Sequence, residues 1–286
     1  MVEEKNKVNK STLYLVATPI GNLADISERA KKVLSEVDFI AAEDTRNSLR
    51  LLSAYGIRAQ LVSYYEHNKR ESGERIVERL LSGESCALIT DAGMPAVSDP
   101  GEDLVRLCSD AGITVSVIPG ASAAVSALAM SALSTRRFTF EGFLSAKQSE
   151  RKRQLEDIKG EKRTMIFYEA PHKLKRTLDD MKAVFGEDRK ISLCRELTKL
   201  NEQAIRTTLG GAIKLYEESE PRGEYVLVLE GAEEAGAIEE SVSSSLSPRE
   251  QVEELISSGM PKKDAIKEVA KRLGVPKSEI YNLMID

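Results

Sequence analysis

Three short segments set small, polar and acidic residues directly behind apolar runs. They are Thr18-Pro19-Ile20-Gly21-Asn22, the stretch from Asp91 to Gly101 (DAGMPAVSDPG), and Pro119-Gly120-Ala121-Ser122-Ala123. In the second, Gly93 frees the backbone, Pro95 and Pro100 fix φ, and two carboxylates, Asp91 and Asp99, bracket the loop. In α/β proteins ligands bind beyond the carboxyl ends of parallel strands, so three such loops at one sheet edge predict a shared pocket.

Ser122 has two readings. Gly120-Ala121-Ser122-Ala123-Ala124 approximates a nucleophile elbow between strand and helix, in which case a hydrolase would recruit His172 and an aspartate. The strained elbow usually needs a second glycine, which favours the other reading: a helix start whose free N–H groups face a polar ligand. Neither GxGxxG nor GxxxxGK[ST] occurs, so dinucleotide and P-loop readings lose their main support. The two histidines, His67 and His172, have no metal-ligand spacing around them, and no metal is expected.

Other polar groups cluster at predicted strand ends. Glu43, Asp44, Thr45 and Arg46 close the second strand; a helix N-cap at Asp44 or Thr45 accounts for one of them, less well for Glu43 and Arg46 together. Tyr64-Tyr65-Glu66-His67-Asn68 closes the third, either as a solvated loop or as part of the pocket. Glu141-Gly142-Phe143-Leu144 leads into a basic stretch, Lys147 and Arg151-Lys152-Arg153, although charge runs are mostly solvated helix faces. Tyr168-Glu169-Ala170-Pro171-His172 ends a further strand as a ligand lip or as a helix start with proline in the first turn.

The elements that position these residues follow from periodicity. LYLVA, VDFIAA, QLVSY, CALIT and TVSVI are short apolar runs separated by helical patterns such as SERAKKVLSEV, which predicts βαβ units and a parallel sheet. A helix is expected over Ala123 to Leu133. RFTFEGF, TMIFYE, KISLCREL, AIRTTLG and EYVLVLEG form a second set. The short gap between SLCREL and AIRTTL suits an antiparallel pair, so the second sheet should be mixed. Residues 233–246 read as a linker rich in Ala, Glu and Ser. After it, Ser247-Pro248-Arg249-Glu250 is a capping-box helix start, followed by helices from Pro261 and Pro276 that make a helix-turn-helix-like tail. The expectation is an α/β protein: a parallel-sheet domain over 12–122, a mixed-sheet domain over 123–232 and a helical tail over 247–286.

Composition bounds the function. At 286 residues and 41% hydrophobic the chain can build real cores, and a net charge of −5 argues against coating nucleic acid by bulk electrostatics while allowing a local basic face. Three scattered cysteines and a polar first dozen residues read as a reduced, cytoplasmic protein. The longest nearly apolar run, Ala121 to Leu133, is too short to span a bilayer, so no membrane partner is expected.

Taken in order, LYLVATPIGNL, IAAEDTR, YYEHN, LITDAGMPAVSDPG, VIPGASA, FEGFL, FYEAPHK, RELTK and RGEYVLVLEG resemble the tetrapyrrole-methylase superfamily. Within it the chain is most similar to the 16S ribosomal RNA small-subunit (cytidine-2′-O)-methyltransferase family. The resemblance runs from Leu13 to Gly231 and extends into the tail. Two departures stand in cofactor loops: Met94 and Ala96-Val97 where the family reads DAGTPLISDPG, and Ala121 where it reads IPGPSA.

The resemblance implies S-adenosylmethionine in a cleft between two α/β domains, a homodimer, and methylation of a decoding-region cytidine in the small ribosomal subunit, with no DNA partner. Carried over by motif, Pro19 and Gly21 would wall the cleft, Asp91, Gly93 and Met94 would contact the cofactor, Ser122 and Ala123 would hydrogen-bond its polar ends, and Tyr168 would flank the adenine. A general base for the ribose hydroxyl would come from Glu43, Asp44, Lys147 or Glu169. Arg46, Asn68 and Lys147 could instead hold phosphates or the target ribose, while Arg151, Lys152, Arg153 and the tail lysines Lys262 and Lys263 would grip RNA. The alternatives are a small-molecule methylase of the same fold, a serine hydrolase built on Ser122, and a non-catalytic assembly factor.

Overall fold

The computed structural model describes residues 7–217, 219–232, 247–273 and 275–284. The chain divides into two compact units, 1–231 and 232–286. The expected linker, 233–246, lies outside the described residues.

In the larger unit the first sheet holds β1 (Thr12–Val16), β2 (Phe39–Ala42), β3 (Leu61–Ser63), β4 (Cys86–Ile89) and β5 (Thr114–Ile118), all parallel, in the order β3-β2-β4-β1-β5. Alternation along the strands divides their side chains between two cores. Val16, Ala42 and Ile89 pack with Val33 and Leu34 of α1 (Glu28–Glu36) and Leu52 of α2 (Thr45–Ala54). Leu13, Phe39 and Leu88 pack on the opposite face with Ile76 and Leu80 of α3 (Lys69–Leu81) and Leu104 and Cys108 of α4 (Gly101–Asp110). β1 and β4 are hydrogen-bonded neighbours, yet they feed helices on opposite faces. The crevice beyond their carboxyl ends is the topological switch point where α/β sheets bind ligands.

A short helix rich in alanine, α5 (Ala123–Met130), leads to the second sheet. It stops three residues before the expected end at Leu133: Ser131 caps it, and Ala132 turns to φ +62°. The expected boundary between residues 122 and 123 therefore falls at the N-terminus of α5, inside the larger unit. The second sheet holds β6 (Phe138–Phe143), β7 (Thr164–Glu169), β8 (Lys190–Arg195), β9 (Gln203–Thr208) and β10 (Tyr225–Leu229), in the order β6-β7-β10-β8-β9. β6 and β7 are parallel and the other pairs antiparallel, including β8 with β9 across their short turn, so this sheet is mixed. Ala124, Ala127 and Leu128 of α5 pack on one face against Ile166, Val226 and Val228. The other face is covered by α6 (Gln148–Asp157), α7 (Pro171–Phe185) and α8 (Leu209–Glu217), through residues such as Leu155, Leu178 and Tyr216.

In the smaller unit, α9 (Pro248–Ser257) opens with the expected capping box: the Ser247 hydroxyl accepts from the Glu250 N–H, and the Glu250 carboxylate accepts from the Ser247 N–H at 2.6 Å. Val252, Ala265, Ile266, Val269 and Ile280 join α9 to α10 (Lys262–Leu273) and α11 (Lys277–Asn282) in one small core.

Candidate active site

The three loops singled out by sequence meet at the switch point. Thr18, just beyond β1, and Gly93, beyond β4, exchange backbone hydrogen bonds at 2.9 and 3.1 Å. Gly93 holds φ at +85°, a conformation that glycine adopts without penalty. The Asp99 carboxylate folds the rest of that loop over itself by accepting from the N–H groups of Ala96, Val97 and Gly101 at 3.0, 3.1 and 2.8 Å.

A cavity of about 420 Å³ opens here, large enough for a nucleoside-sized ligand. Its walls come from the first sheet's loops, from the N-terminus of α5, and from the ends of β7, β8 and β10. Antiparallel pairing of Tyr225 with Glu169 and with Arg195 brings the start of β10 level with the ends of β7 and β8. Six carboxylates line the cavity, Glu43, Asp91, Asp99, Glu169, Glu196 and Glu224, against a single ammonium, Lys199, which pairs with Glu196 at 3.0 Å. Such a site favours a cationic ligand.

Glu43 keeps access to solvent, but partial desolvation by the cavity walls raises its pKa above the ordinary carboxylate value, and the negative charges of Asp91, Asp99 and Asp44 raise it further. Glu169 is engaged by hydrogen bonds. It is buried, its Oε2 accepts from the Thr177 hydroxyl at 2.5 Å, and its Oε1 accepts from the Ala170 N–H at 2.9 Å. Tyr168 uses its hydroxyl to accept from the Ala124 N–H at 3.2 Å, which satisfies one of the unpaired donors at the start of α5. The Ser122 side chain makes no capping bond to that helix.

Strain gathers at the same place. Among the described residues six non-glycine positions have positive φ, and four of them sit in two cavity loops: Ala96 and Ser98 after β4, Glu196 and Thr198 after β8. Off-region backbone of this kind persists only where the surroundings over-determine it, and it clusters at functional sites.

Residues 12–213 match the tetrapyrrole (corrin/porphyrin) methylase family. A ribosomal RNA small subunit methyltransferase I from Halalkalibacterium halodurans is 50% identical over 275 residues, which is 96% of this chain and 95% of that protein. The protein of the same name from Bacillus subtilis is 47% identical, covering 96% of this chain and 94% of that one. The chain belongs to the methyltransferase I family of the tetrapyrrole methylases. A crystal structure of diphthine synthase superposes with a TM-score of 0.58 at 16% identity, over 77% of this chain and 90% of that one, a likeness of fold. As a tetrapyrrole methylase the chain is a methyltransferase and uses S-adenosylmethionine. The acid-rich cavity fits the sulfonium and ammonium of that donor, and the N–H groups at the start of α5 suit its carboxylate.

Of the site residues that resemblance to the methyltransferase family implied, the cavity brings together Asp91, Gly93, Met94, Ser122, Ala123 and Tyr168, along with Glu43 and Glu169. Pro19 and Gly21 do not line it. Pro19 is buried, and Gly21 packs so closely on the turn after β8 that an added Cβ would lie 2.7 Å from Lys199 Cγ; Ile20 between them faces the cavity. Asp44 caps α2, accepting from the Arg46 N–H at 2.8 Å, so the capping reading accounts for it. Lys147 precedes α6, lies outside the cavity lining, and pairs with Glu150 at 2.9 Å.

Among the expected RNA contacts, two make hydrogen bonds within the protein. Arg151 is buried and gives Nε and Nη2 to Asp180 at 2.9 and 2.6 Å, while its Nη1 reaches the carbonyls of Ser145 and Ala146, so the guanidinium is tied down inside the protein. Asn68 bonds locally at both ends of its amide, accepting from the Tyr65 N–H and donating to the Ser63 carbonyl. Arg46, Lys152, Arg153, Lys262 and Lys263 are exposed, Lys152 lying 3.7 Å from Asp180. No histidine lines the cavity, so Ser122 lacks the partner a hydrolase would need.

Sequence reasoning missed Phe143, Glu196, Lys199 and Glu224 as cavity residues. Their segments FEGFL, RELTK and RGEYV were visible as motifs. What was not visible was the antiparallel pairing that carries the ends of β8 and β10 to the same rim as β7.

Proposed function

We propose that this chain methylates the ribose 2′-hydroxyl of a cytidine in the decoding region of small-subunit ribosomal RNA, acting on the assembled subunit. The observation that carries the reading is similarity at 47–50% identity across 96% of the chain, helical tail included, to proteins named as ribosomal RNA small subunit methyltransferases. A homodimer and a cytoplasmic location accompany the reading as expectations from the family resemblance. No described helix is long and apolar enough to cross a membrane.

When bound, S-adenosylmethionine supplies a methyl group activated by its sulfonium. Asp91 and the backbone of Gly93 and Met94 would hold its charged end, Ser122 and Ala123 its polar groups, and Tyr168 its adenine. The remaining demand is a group that takes the hydroxyl proton during an in-line displacement. Glu43 suits that role better than its rivals. It lines the cavity at an exposed position, and its raised pKa makes it a stronger base than an ordinary carboxylate. In Glu169 both oxygens already accept hydrogen bonds, from the Thr177 hydroxyl and the Ala170 N–H, so the carboxylate is held by the protein and turned away from an incoming hydroxyl. Asp44 and Lys147 are committed elsewhere. An assembled particle as substrate fits a chain of net charge −5, since shape and protein surfaces supplement phosphate contacts.

The test is transfer of labelled methyl from S-adenosylmethionine to unmethylated small subunits, with free rRNA alongside and nucleosides resolved by mass spectrometry. The expected product is 2′-O-methylcytidine from the particle. Absence of transfer to either acceptor while the donor still binds would remove the rRNA reading and favour a small-molecule acceptor.

A further inference from the structure

Phe143 is an anomaly of the cavity rim. It lines the cavity, yet it is 58% exposed, a large apolar ring at the mouth of a site otherwise edged by carboxylates. The other two aromatic lining residues are spoken for: Tyr225 is 1% exposed, and the Tyr168 hydroxyl is bonded to α5.

Its orientation is built by a backbone irregularity. In a regular strand Phe140 and Phe143 would point to opposite faces of β6, being an odd number of residues apart. The β6–β7 register instead shifts between Phe140 and Gly142: Phe140 pairs with Ile166, Gly142 with Phe167, and Phe143 with Tyr168. Glu141 is the extra residue, and Gly142 takes up φ +66°. The bulge returns Phe143 to the face of Phe140. Both rings then meet Tyr168 edge-on, at centroid distances of 5.0 Å for Phe140 and 5.4 Å for Phe143. Bulges beside active sites serve to re-aim a side chain, and here the re-aimed side chain is held from behind and open in front.

The geometry points to Phe143 as the platform on which the target nucleobase stacks while its ribose enters the cavity. This rests on the RNA-methylation reading above. A nucleotide whose ribose reaches into a cavity leaves its neighbours in the RNA stack, and an aromatic face recovers the lost stacking. An exposed phenyl ring can do so without regard to phosphate charge, which matters at a rim where carboxylates outnumber ammonium groups six to one.

The test is steady-state methylation of small subunits by Phe143→Ala, Phe143→Leu and Phe143→Trp, with the Kd for S-adenosylmethionine measured by calorimetry and folding checked by thermal unfolding. Phe143→Ala is expected to raise the KM for the particle roughly tenfold to a hundredfold, as loss of one base–aromatic stack does, with donor Kd unchanged. Phe143→Trp should restore the KM and Phe143→Leu should not. An unchanged KM in Phe143→Ala overturns the proposal. So does recovery by leucine, which would mean simple apolar cover, and so does a parallel loss of donor affinity, which would place the ring in the donor site. Failure of the unmodified chain to methylate RNA overturns the function reading itself, an outcome distinct from any of these because it appears before a variant is made.

Discussion

Thr18 and Gly93 exchange both backbone hydrogen bonds across the switch point, at 2.9 and 3.1 Å, and so clamp the loop after β1 to the loop after β4. The clamp requires φ +85° at Gly93, and a Cβ there would lie 3.3 Å from Ile20 Cγ2. Gly93→Ala should therefore cost about 1–2 kcal/mol of stability and weaken binding of S-adenosylmethionine. Thermal unfolding with and without the donor checks both effects; unchanged donor affinity would separate the clamp from the binding site.

Glu43→Gln should lower kcat roughly 100- to 10,000-fold with little change in KM, as removal of a general base does. The same substitution should raise the unfolding midpoint at neutral pH. The folded-state pKa of Glu43 lies above its unfolded value, so its contribution to stability is complete below the ordinary carboxylate range and is lost as pH rises through the raised value. A glutamine stays neutral throughout. Loss of activity together with loss of stability would indicate a structural role instead.

The acid limb of the pH–kcat profile should lie above the ordinary carboxylate range, because the base must be ionised. Asp91 is the largest charge contribution to the raised pKa after burial. Asp91→Asn removes that charge, so it should move the limb to lower pH. A limb that stays in place in this variant would count against Glu43 as the titrating group.

Arg151→Ala should destabilise the chain by about 3–5 kcal/mol, since it strands the buried carboxylate of Asp180. Denaturant unfolding reads this directly. The salt dependence of RNA binding should be unchanged in whatever fraction remains folded, the opposite of what an RNA-gripping arginine would give.

Lys262 and Lys263 sit exposed at the start of α10. If they meet phosphates, Lys262→Gln with Lys263→Gln should reduce the slope of log K against log salt by about 1 for each phosphate no longer neutralised, with donor binding untouched. A slope identical to that of the unmodified chain would remove the tail lysines from the RNA interface.

Local chemistry made much of this architecture readable. TPIGN, DAGMPAVSDPG and PGASA carry their own turn residues, and the Ser247–Glu250 box writes its helix start in four letters. The parallel and mixed sheets followed from connection lengths. Arg151 lies inside for a physical reason: Arg151-Lys152-Arg153 reads as one charge run, but helical periodicity turns Arg151 inward to Asp180 twenty-nine residues away, while Lys152 and Arg153 remain exposed. Phe143 stayed hidden because a bulge inverts the face that simple alternation assigns to it. Both features depend on partners that lie far apart in sequence, where spacing alone says nothing.

The backbone twists at Ala96 and Ser98, φ +66° and +75°, give this chain an unused reserve of thermal tolerance. Side chains in that region cost about 1–2 kcal/mol relative to right-handed backbone, and glycine escapes most of the penalty at the expense of unfolded-state entropy. A heat-adapted version of the enzyme could thus be sought at its own binding loop, where glycine at 96 or 98 would relax the fold without filling the cavity. The present sequence keeps alanine and serine at those points and carries that cost in a loop that lines the cavity.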